Sequence, residues 1–308
     1  MRVKQVMTED IEALRRHGFG VAYRMLGTVA DAEDVVQEAL LRLARVDEHP
    51  EEPAAWVTTV TTRLAIDHLR RERVRRKRYI GPWLPEPLLE DVASALAGPA
   101  ETVEVAESLS QAFLVVLEQL TPLERAAFLL RVVFDYPYAE VAATIGRNEV
   151  SSRQLVARAR KHLASAGPRF DADPELRRRL LERFLAAARE GDLAGLEALL
   201  AEDAVLYADG GGQVVAARRP LVGAARIARM FASVTHKTFA RDPPDAQLVA
   251  VNGQPGQVLR GADGGVLQVL SIDVEDGLIR VVRIVRNPDK LAHLDAGTPR
   301  QPGPSSLT

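Results

Sequence analysis

The stretch from Tyr138 to Leu163 constrains the fold more than any other part of the chain, because it reads as two short helices joined by a tight turn. The first helix is predicted over residues 138–145, and Gly146 follows where a helix commonly ends in a left-handed residue. Asn148 can then cap a second helix that begins near Glu149. The apolar residues of the first helix share one face at helical spacing: Val141, Ala142 and Ile145.

The second helix of this stretch separates an apolar face from a basic and polar one. The residues predicted to face a core are Val150, Leu155, Val156, Ala159 and Leu163. The residues predicted to point outward are Arg147, Ser151, Arg153, Gln154, Arg158, Arg160 and Lys161. This pattern is typical of a helix-turn-helix, whose second helix enters the major groove of DNA. An ordinary helical hairpin with a solvated basic face has the same pattern, so this stretch alone leaves both interpretations open.

Length and charge restrict the rest of the chain. A chain of 308 residues is expected to form two or three domains. The formal net charge of -2 excludes a globally basic nucleic-acid binder, so any DNA contact must come from local patches. The absence of cysteine excludes disulfides and thiolate metal sites and fits a reducing compartment. No signal peptide or membrane span is predicted, so the chain is expected to be soluble and cytoplasmic.

Three amphipathic helices are predicted before residue 80. The second of them, over residues 32–46, carries an acidic and amide face that is also compatible with a solvated helix surface. The third, over residues 54–78, is rich in threonine at its start and in Lys and Arg at its end. Cations at a helix C-terminus are often simply solvated. So dense a run nevertheless favours contact with a polyanion, with threonine and tryptophan available to bases.

The charge of the chain reverses after this basic helix. Residues 79–124 contain no Lys or Arg, and the first part of the segment is rich in Pro and Gly. It is therefore predicted to be an extended acidic connector. Helices resume near Thr102 and at Thr121-Pro122, and these are predicted to brace the helix-turn-helix.

Two helical DNA-binding units joined by an acidic tether resemble a bacterial sigma factor of the extracytoplasmic-function (ECF) type. Residues 22–45, AYRMLGTVADAEDVVQEALLRLAR, resemble the region that docks on core RNA polymerase. Residues 55–78, AWVTTVTTRLAIDHLRRERVRRKR, resemble the reader of the −10 promoter element. Residues 120–163, which include the helix-turn-helix, resemble the reader of the −35 element. The resemblance implies RNA polymerase core enzyme and promoter DNA as partners.

Three further motifs resemble signatures of one class of these sigma factors, the SigJ-like (ECF41) class with a fused C-terminal SnoaL-like domain. They are WLPEP at 83–87, DGGGQV at 209–214 and NPDKL at 287–291. Members of this class usually have Lys where this chain has Gln213, so a basic contact is expected to be missing there. The class implies that the fused domain regulates the chain, and no separate anti-sigma factor is expected to be required.

The resemblance assigns candidate roles to four sets of residues. The predicted core polymerase contacts are Asp31, Asp34, Gln37 and Glu38. The predicted −10 contacts are Trp56, Thr59, Arg63, Asp67, Arg70 and Arg71. The predicted −35 contacts are Arg147, Ser151, Arg153, Gln154 and Arg158. The predicted interdomain regulatory residues are Trp83, Leu84, Pro85, Glu86, Pro87, Asp209, Gly210, Gly211, Gly212, Asn287, Pro288, Asp289, Lys290 and Leu291.

The remaining third of the chain reads as helices followed by strands. Helices are predicted over 174–190, 193–202 and near 224–232, and strands over 204–208, 245–251, 257–260, 266–274 and 278–285. This order predicts an α+β cone with a curved antiparallel sheet, similar to the SnoaL-like, NTF2-like fold. The chain is thus multidomain, with two all-α sigma domains and this cone. The expected boundaries are sigma-2 at 1–80, linker at 81–103, sigma-4 at 104–167, cone at 172–295 and a disordered tail at 296–308.

Two alternatives to a sigma factor stay open at this point. One is a DNA-binding regulator with a ligand-sensing domain, since a cone of this kind can hold a small ligand. The other is an enzymatic cone with cyclase or isomerase chemistry, for which Asp209, His236 and Asp273 are the candidate polar groups. Because nothing in the sequence brings these three together, no catalytic residue, cofactor or metal site is predicted, and the chain is not expected to be an enzyme.

Overall fold

The computed structural model describes residues 2–48, 50–76, 78–89, 108–166, 173–241 and 243–295. The described residues form two compact units. The helical unit contains those within 2–79 and 84–166, and the C-terminal unit contains those within 80–83 and 173–295. The predicted linker motif is therefore divided, because Trp83 belongs to the C-terminal unit and Leu84 to the helical unit. The predicted tail at 296–308 and linker residues 90–107 lie outside the described residues.

The helical unit is built entirely from helices. Its elements are α1 (Arg2–Leu26), α2 (Val29–Leu43), α3 (Pro53–Arg76), α4 (Gln111–Leu117), α5 (Pro122–Phe128), a π-helical turn (Leu129–Val133), α6 (Tyr138–Ile145) and α7 (Glu149–Ala166). The segments predicted as sigma-2 and sigma-4 share one hydrophobic core, in which Tyr23 of α1, Leu117 of α4 and Val141 of α6 are fully buried. Burial of this continuous apolar surface holds the helices together.

The C-terminal unit places helices and a sheet around a second core. Its helices are α8 (Pro174–Glu190), α9 (Leu193–Leu199), α10 (Ala224–Arg241) and α11 (Pro288–Leu291), with a short 3-10 turn at Ala292–Leu294. Its strands are β1 (Leu200–Asp209), β2 (Leu221–Val222), β3 (Asp245–Val251), β4 (Gln254–Arg260), β5 (Val266–Glu275) and β6 (Leu278–Val285). The strand order in the sheet is β2-β1-β6-β5-β4-β3. The core of this unit lies between α8, α9 and α10 and the sheet, and includes Phe184, Ile227 and Ile272.

The sheet is mixed, and the prediction of a purely antiparallel sheet is wrong. Strand β1 pairs with β6 in parallel, from Leu200 opposite Ile279 to Asp209 opposite Val285. The other pairs are antiparallel, as the hairpins of β3 to β6 require. The sequence predicted helix through residue 202, but α9 ends at Leu199. The reason is that Leu200 already pairs with β6 as part of strand β1.

The predicted fold class is confirmed by this architecture: two all-α segments are followed by an α+β domain of helices packed on a sheet. Two strands have the bounds predicted from sequence, β3 and β6. The turn at Asp276-Gly277 has positive φ at both residues, 53° and 74°, which is the geometry of a tight hairpin connection. The hairpin at Asn252-Gly253, with φ of 52° and 76°, was not predicted.

Candidate functional site

The helix-turn-helix is formed as predicted. Helix α6 ends at Gly146, whose φ of 65° and ψ of 45° place it in the left-handed region that favours glycine. The Asn148 side chain accepts a hydrogen bond from the Ser151 backbone N–H at 2.8 Å, which caps α7. The turn therefore fixes the direction of α7 relative to the helix that supports it.

The outer face of α7 carries the predicted −35 contacts. Arg147, Arg153, Gln154 and Arg158 are exposed, and Ser151 is half-buried at the start of the helix. The Arg153 guanidinium lies 4.2 Å from the centre of the Tyr138 ring and forms an ion pair with Glu149. Arg158 pairs with Glu124 at 2.9 Å while its side chain stays 56% exposed. These cations are held in place on the surface and remain accessible to phosphates or base edges.

One residue of α7 was assigned to the wrong face. Val150 was predicted to face the core but is 66% exposed. The inward face is formed by Leu155, Val156 and Ala159, together with Ser152, which is fully buried and donates to the Asn148 carbonyl. Val150 precedes Ser152 by two positions, which is more than half a helical turn, so it points away from this face.

The predicted −10 contacts follow the outer face of α3. Arg63, Asp67, Arg70 and Arg71 are exposed, and Trp56 and Thr59 are half-buried. Asp67 accepts from Arg70 through its carboxylate at 3.1 Å and from Arg71 through its backbone carbonyl at 3.3 Å. This face therefore offers guanidinium groups next to short polar side chains.

Two of these −10 residues contact the first helix of the helix-turn-helix. Arg63 donates from Nε to the Thr144 carbonyl at 2.9 Å and from Nη2 to the Ala143 carbonyl at 2.8 Å. The hydroxyls of Thr59 and Thr144 lie 3.3 Å apart. Farther along the same interface, Arg125 of α5 donates to the Met25 carbonyl of α1 at 2.7 Å. The two predicted DNA readers thus touch within the helical unit, and the sequence contained no signal for this contact.

The predicted polymerase-docking residues lie on α2. Asp34, Gln37 and Glu38 are exposed, and Glu38 forms an ion pair with Arg42. Asp31 is half-buried, and a hydrogen bond from His68 is the largest of the interactions that lower the pKa of its carboxyl group. The predicted docking face therefore places the carboxylates of Asp31, Asp34 and Glu38 beside the neutral amide of Gln37.

Glu86 of the WLPEP motif supports the start of this helix. Its Oε2 atom accepts from the Val29 backbone N–H at 2.6 Å, its own N–H donates to the Gly27 carbonyl at 2.9 Å, and its carbonyl accepts from the Tyr23 hydroxyl at 2.6 Å. Thr28 is the N-cap residue by position, but its side chain makes no capping bond and donates instead to Asp31. The α2 cap is therefore supplied from 57 residues away.

The three class signatures meet in the C-terminal unit. Lys290 of NPDKL forms an ion pair with Asp209 of DGGGQV, with 2.7 Å between Nζ and Oδ2. The same Nζ lies 4.1 Å from the centre of the ring of Trp83, the first residue of WLPEP. The Asp209 carbonyl accepts from the backbone N–H groups of Arg286 and Asn287 at 2.7 and 2.9 Å. We call Trp83, Asp209 and Lys290 the signature cluster.

The glycines of DGGGQV leave room for Asn287 of NPDKL and for Ile80, which precedes the WLPEP motif. A Cβ at Gly211, where φ is 60°, would lie 2.4 Å from Asn287 Nδ2. A Cβ at Gly212, where φ is 75°, would lie 2.9 Å from the end of the Ile80 side chain. Both positions therefore require glycine for space and for backbone conformation. Gln213 donates to Asp289 through its side-chain amide, so the contact at this position is a neutral hydrogen bond and not the basic contact that is expected to be missing.

The remaining predicted interdomain residues divide between the two units. Leu84, Pro85 and Pro87 are buried in the helical unit beside Glu86. Gly210 is buried in the C-terminal unit, where a Cβ would lie 2.7 Å from Ala216 Cβ. In the same unit Leu291 is buried and Pro288 is exposed at the start of α11.

The candidate catalytic groups are not assembled into one site among the described residues. Asp209 is paired with Lys290, and Asp273 forms a two-point ion pair with Arg283 at 2.7 and 2.6 Å. Neither carboxylate lines the cavity between the helices and the sheet. The side chain of His236 lies outside the described residues.

The described residues contain no cluster suited to a metal ion and no helix suited to a membrane. No group of three or more His, Cys, Asp and Glu side chains there is placed to hold a metal ion. Nor does any helix in this part of the chain combine the length and apolar character needed to cross a bilayer.

Family models match the two helical segments that carry the predicted DNA contacts. Residues 11–75 match "Sigma-70 region 2", which includes α2 and most of α3. Residues 110–163 match "Sigma-70, region 4", which includes the helix-turn-helix.

Whole-chain relatives come from Mycobacterium tuberculosis. The ECF RNA polymerase sigma factor SigJ of strain H37Rv is 38% identical over 288 residues, which cover 91% of this chain and 92% of SigJ. The probable ECF RNA polymerase sigma factor SigI of the same strain is 32% identical over 289 residues, covering 92% and 94%. The crystal structure of M. tuberculosis SigJ superposes with a TM-score of 0.74 at 35% identity, covering 92% of this chain and 98% of that one.

Proposed function

The chain belongs to the extracytoplasmic-function (ECF) RNA polymerase sigma factors, and from that premise we propose that it directs core RNA polymerase to promoters through three surfaces of its helical unit. The observation that supports this proposal most directly is the outer face of α7. Its arginines are exposed, and the start of this helix is capped by Asn148 as in a helix-turn-helix. Core polymerase and promoter DNA are the partners that the family implies, so we propose that the chain acts in the cytoplasm.

Each surface has its own chemical task in this proposal. In the turn and on α7, Arg147, Arg153 and Gln154 contact bases or phosphates of the −35 element, and Arg158 contacts phosphate. On α3, the predicted −10 residues hold an unstacked base among short polar side chains while the arginines neutralise phosphates. On α2, the anionic face formed by Asp31, Asp34, Gln37 and Glu38 docks on the polymerase. The polymerase makes all phosphodiester bonds, and this chain supplies no catalytic group.

The contact between the two readers indicates that this conformation is closed. The −10 and −35 elements are named for their positions on the DNA, so they lie about 25 base pairs apart. This is roughly 85 Å along B-DNA at 3.4 Å per base pair. The contact of Arg63 with the Thr144 carbonyl, at 2.9 Å, cannot persist when both readers are on DNA. We propose that core polymerase separates the readers, and that the free chain therefore binds promoter DNA weakly.

One experiment tests this function directly. Sheared genomic DNA is incubated with the chain alone, with core polymerase alone and with both, and the bound fragments are sequenced. Specific fragments and their transcripts are expected only when both proteins are present, and Arg153→Ala should reduce their recovery. Tight, specific binding by the chain alone would indicate a DNA-binding repressor instead.

We also propose that the C-terminal unit regulates transcription through the signature cluster and is not an enzyme. The support is that Asp209 and Asp273 are both engaged in ion pairs, and that the cluster joins the linker motif to the two motifs of the C-terminal unit. Trp83→Ala and Asp289→Ala are each expected to change core-dependent transcription without unfolding the protein. Unchanged transcription by both variants would reject the regulatory role. A fused regulator would also make a separate anti-sigma factor unnecessary.

A further inference from the structure

A cavity of about 420 Å³ lies within the C-terminal unit, between its helices and its sheet. Most of its wall is apolar and comes from both layers, for example from Leu185, Ala208, Met230, Phe231, Leu259 and Leu270. Small-molecule sites are typically lined in this way and enclose roughly 300–1,000 Å³. The cavity therefore has the size and lining for a compact organic ligand.

One polar side chain in this wall has no partner. Gln257 of β4 lines the cavity and is only 7% exposed. Its side-chain amide makes no hydrogen bond to any residue in the described part of the chain. The buried side-chain atoms without a partner do not include this amide, so its atoms are accessible from the cavity. A ligand in the cavity can therefore form a hydrogen bond with the amide through a polar atom.

Two arginines lie in the same wall, Arg189 and Arg286. Arg286, which follows β6, donates from Nη1 to the Val215 carbonyl at 2.7 Å, while its buried Nε has no hydrogen-bond partner among the described residues. Burial lowers the pKa of Arg286, although a guanidinium remains charged at neutral pH. None of the described lining residues is Asp or Glu. The charge of the wall is therefore positive, and no acidic residue of the wall neutralises it.

We propose that this cavity binds an apolar molecule that ends in a single carboxylate. The hydrocarbon part lies against the apolar wall, and the carboxylate accepts hydrogen bonds from the guanidinium of Arg286 and the amide of Gln257. The regulatory consequence rests on the proposed function. The Arg286 backbone N–H donates to the Asp209 carbonyl at 2.7 Å, so one residue contacts both the ligand and the signature cluster.

Three probes that differ only in their head group test the binding. Decanoate, decanol and decylamine are titrated by calorimetry into the full-length chain, below their micelle concentrations. Decanoate is expected to bind with one-to-one stoichiometry and roughly tenfold more tightly than decanol, because its charged oxygens bond the guanidinium. Decylamine is expected to bind most weakly. Equal affinity for all three probes, or no binding of decanoate, overturns the proposal.

Variants locate the site. Arg286→Leu should remove the preference for decanoate over decanol. Leu259→Trp, whose larger side chain fills the cavity, should weaken the binding of both probes. Arg260→Leu is the matched control, because Arg260 also donates to a main-chain carbonyl, that of Gly264, but does not line the cavity. Retention of the preference in Arg286→Leu overturns the proposal. If that variant does not fold, Gln257→Leu takes its place, with a reduced preference expected.

The binding measurement needs neither polymerase nor DNA. A chain that binds decanoate but fails to support transcription contradicts the proposed function and leaves the site intact. A chain that transcribes specifically but binds no probe contradicts the site alone.

Discussion

Lys290 and Asp209 form an ion pair that is almost completely withdrawn from water, with their side chains 6% and 0% exposed. The two residues come from different motifs, separated by 81 positions. Since each charge would be costly to bury alone, the pair holds α11 against the end of β1 only while both partners are present. The Trp83 ring lies against the same ammonium group in a cation–π contact. The position of Trp83, the first residue of the linker motif, therefore also depends on Lys290.

Lys290→Met should therefore lower the free energy of unfolding of the C-terminal unit by about 3–5 kcal/mol, because the buried Asp209 carboxylate loses its cationic partner. Chemical denaturation of the full chain, followed by a probe in this unit, measures the loss. The double variant Lys290→Met/Asp209→Asn should recover part of it, since a neutral amide needs no counter-charge. Lys161→Met, at an exposed position of α7, is the control. Equal stability of Lys290→Met and the control would contradict the prediction.

The hydrogen bond from Gln213 to Asp289 predicts that a basic residue at position 213 would increase the stability of the C-terminal unit. Gln213→Lys should replace an exposed hydrogen bond by an exposed ion pair and stabilise the C-terminal unit by roughly 0.2–1 kcal/mol at low salt. The gain should shrink as ionic strength rises, because surface pairs are screened. Gln213→Met, which removes the bond without adding charge, should be destabilising under all conditions. A gain that does not depend on salt would argue against pairing with Asp289.

Glu86 predicts a link between the linker motif and the polymerase-docking helix. Glu86→Ala should cost about 1–2 kcal/mol of stability, because the Val29 N–H at the start of α2 loses its acceptor. Hydrogen exchange at that amide should become faster, and affinity for core polymerase should fall. Glu86→Gln is the matched control, since its side-chain oxygen can still accept the bond. Unchanged exchange at Val29 in Glu86→Ala would exclude the cap.

The sequence predicted local features well because their causes are local. Gly146 and Asn148 fix the helix-turn-helix by themselves, and the bounds of α6 were predicted correctly. The same holds for α8, where Asp173 and Gly191 mark the two ends. These signals act through backbone conformation and short-range hydrogen bonds, so no distant residue has to be known.

Contacts between distant segments could not be predicted. The parallel pairing of β1 with β6 depends on residues about 80 positions apart, such as Leu200 and Ile279, and it determined where α9 ends. Nothing in the sequence indicates that Arg63 reaches the main chain of α6, because carbonyl acceptors carry no side-chain signature. Motif resemblance did group Trp83, Asp209 and Lys290, although it did not supply their ion pair or ring contact.

His17 gives the helical unit a pH-dependent stability. Burial, with a smaller effect of Arg24, lowers the pKa of His17 below its ordinary value of 6.5. As pH falls below that value, the unfolded chain binds a proton that the folded chain does not, so the free energy of unfolding decreases. The slope approaches about 1.4 kcal/mol per pH unit at most and disappears below the folded pKa. His17→Gln, which keeps a partner for Thr58, should reduce the slope between pH 7 and 5.

The absence of cysteine in the chain allows the closed arrangement of the two readers to be locked. The hydroxyls of Thr59 and Thr144 lie 3.3 Å apart, so Thr59→Cys/Thr144→Cys should form an intramolecular disulfide on oxidation. The oxidised protein should support no transcription above the background of core polymerase alone, because α3 and α6 can no longer separate. Reduction should restore activity, and each single cysteine variant should be insensitive to the oxidant. If the locked protein transcribes like the reduced one, the readers do not need to separate.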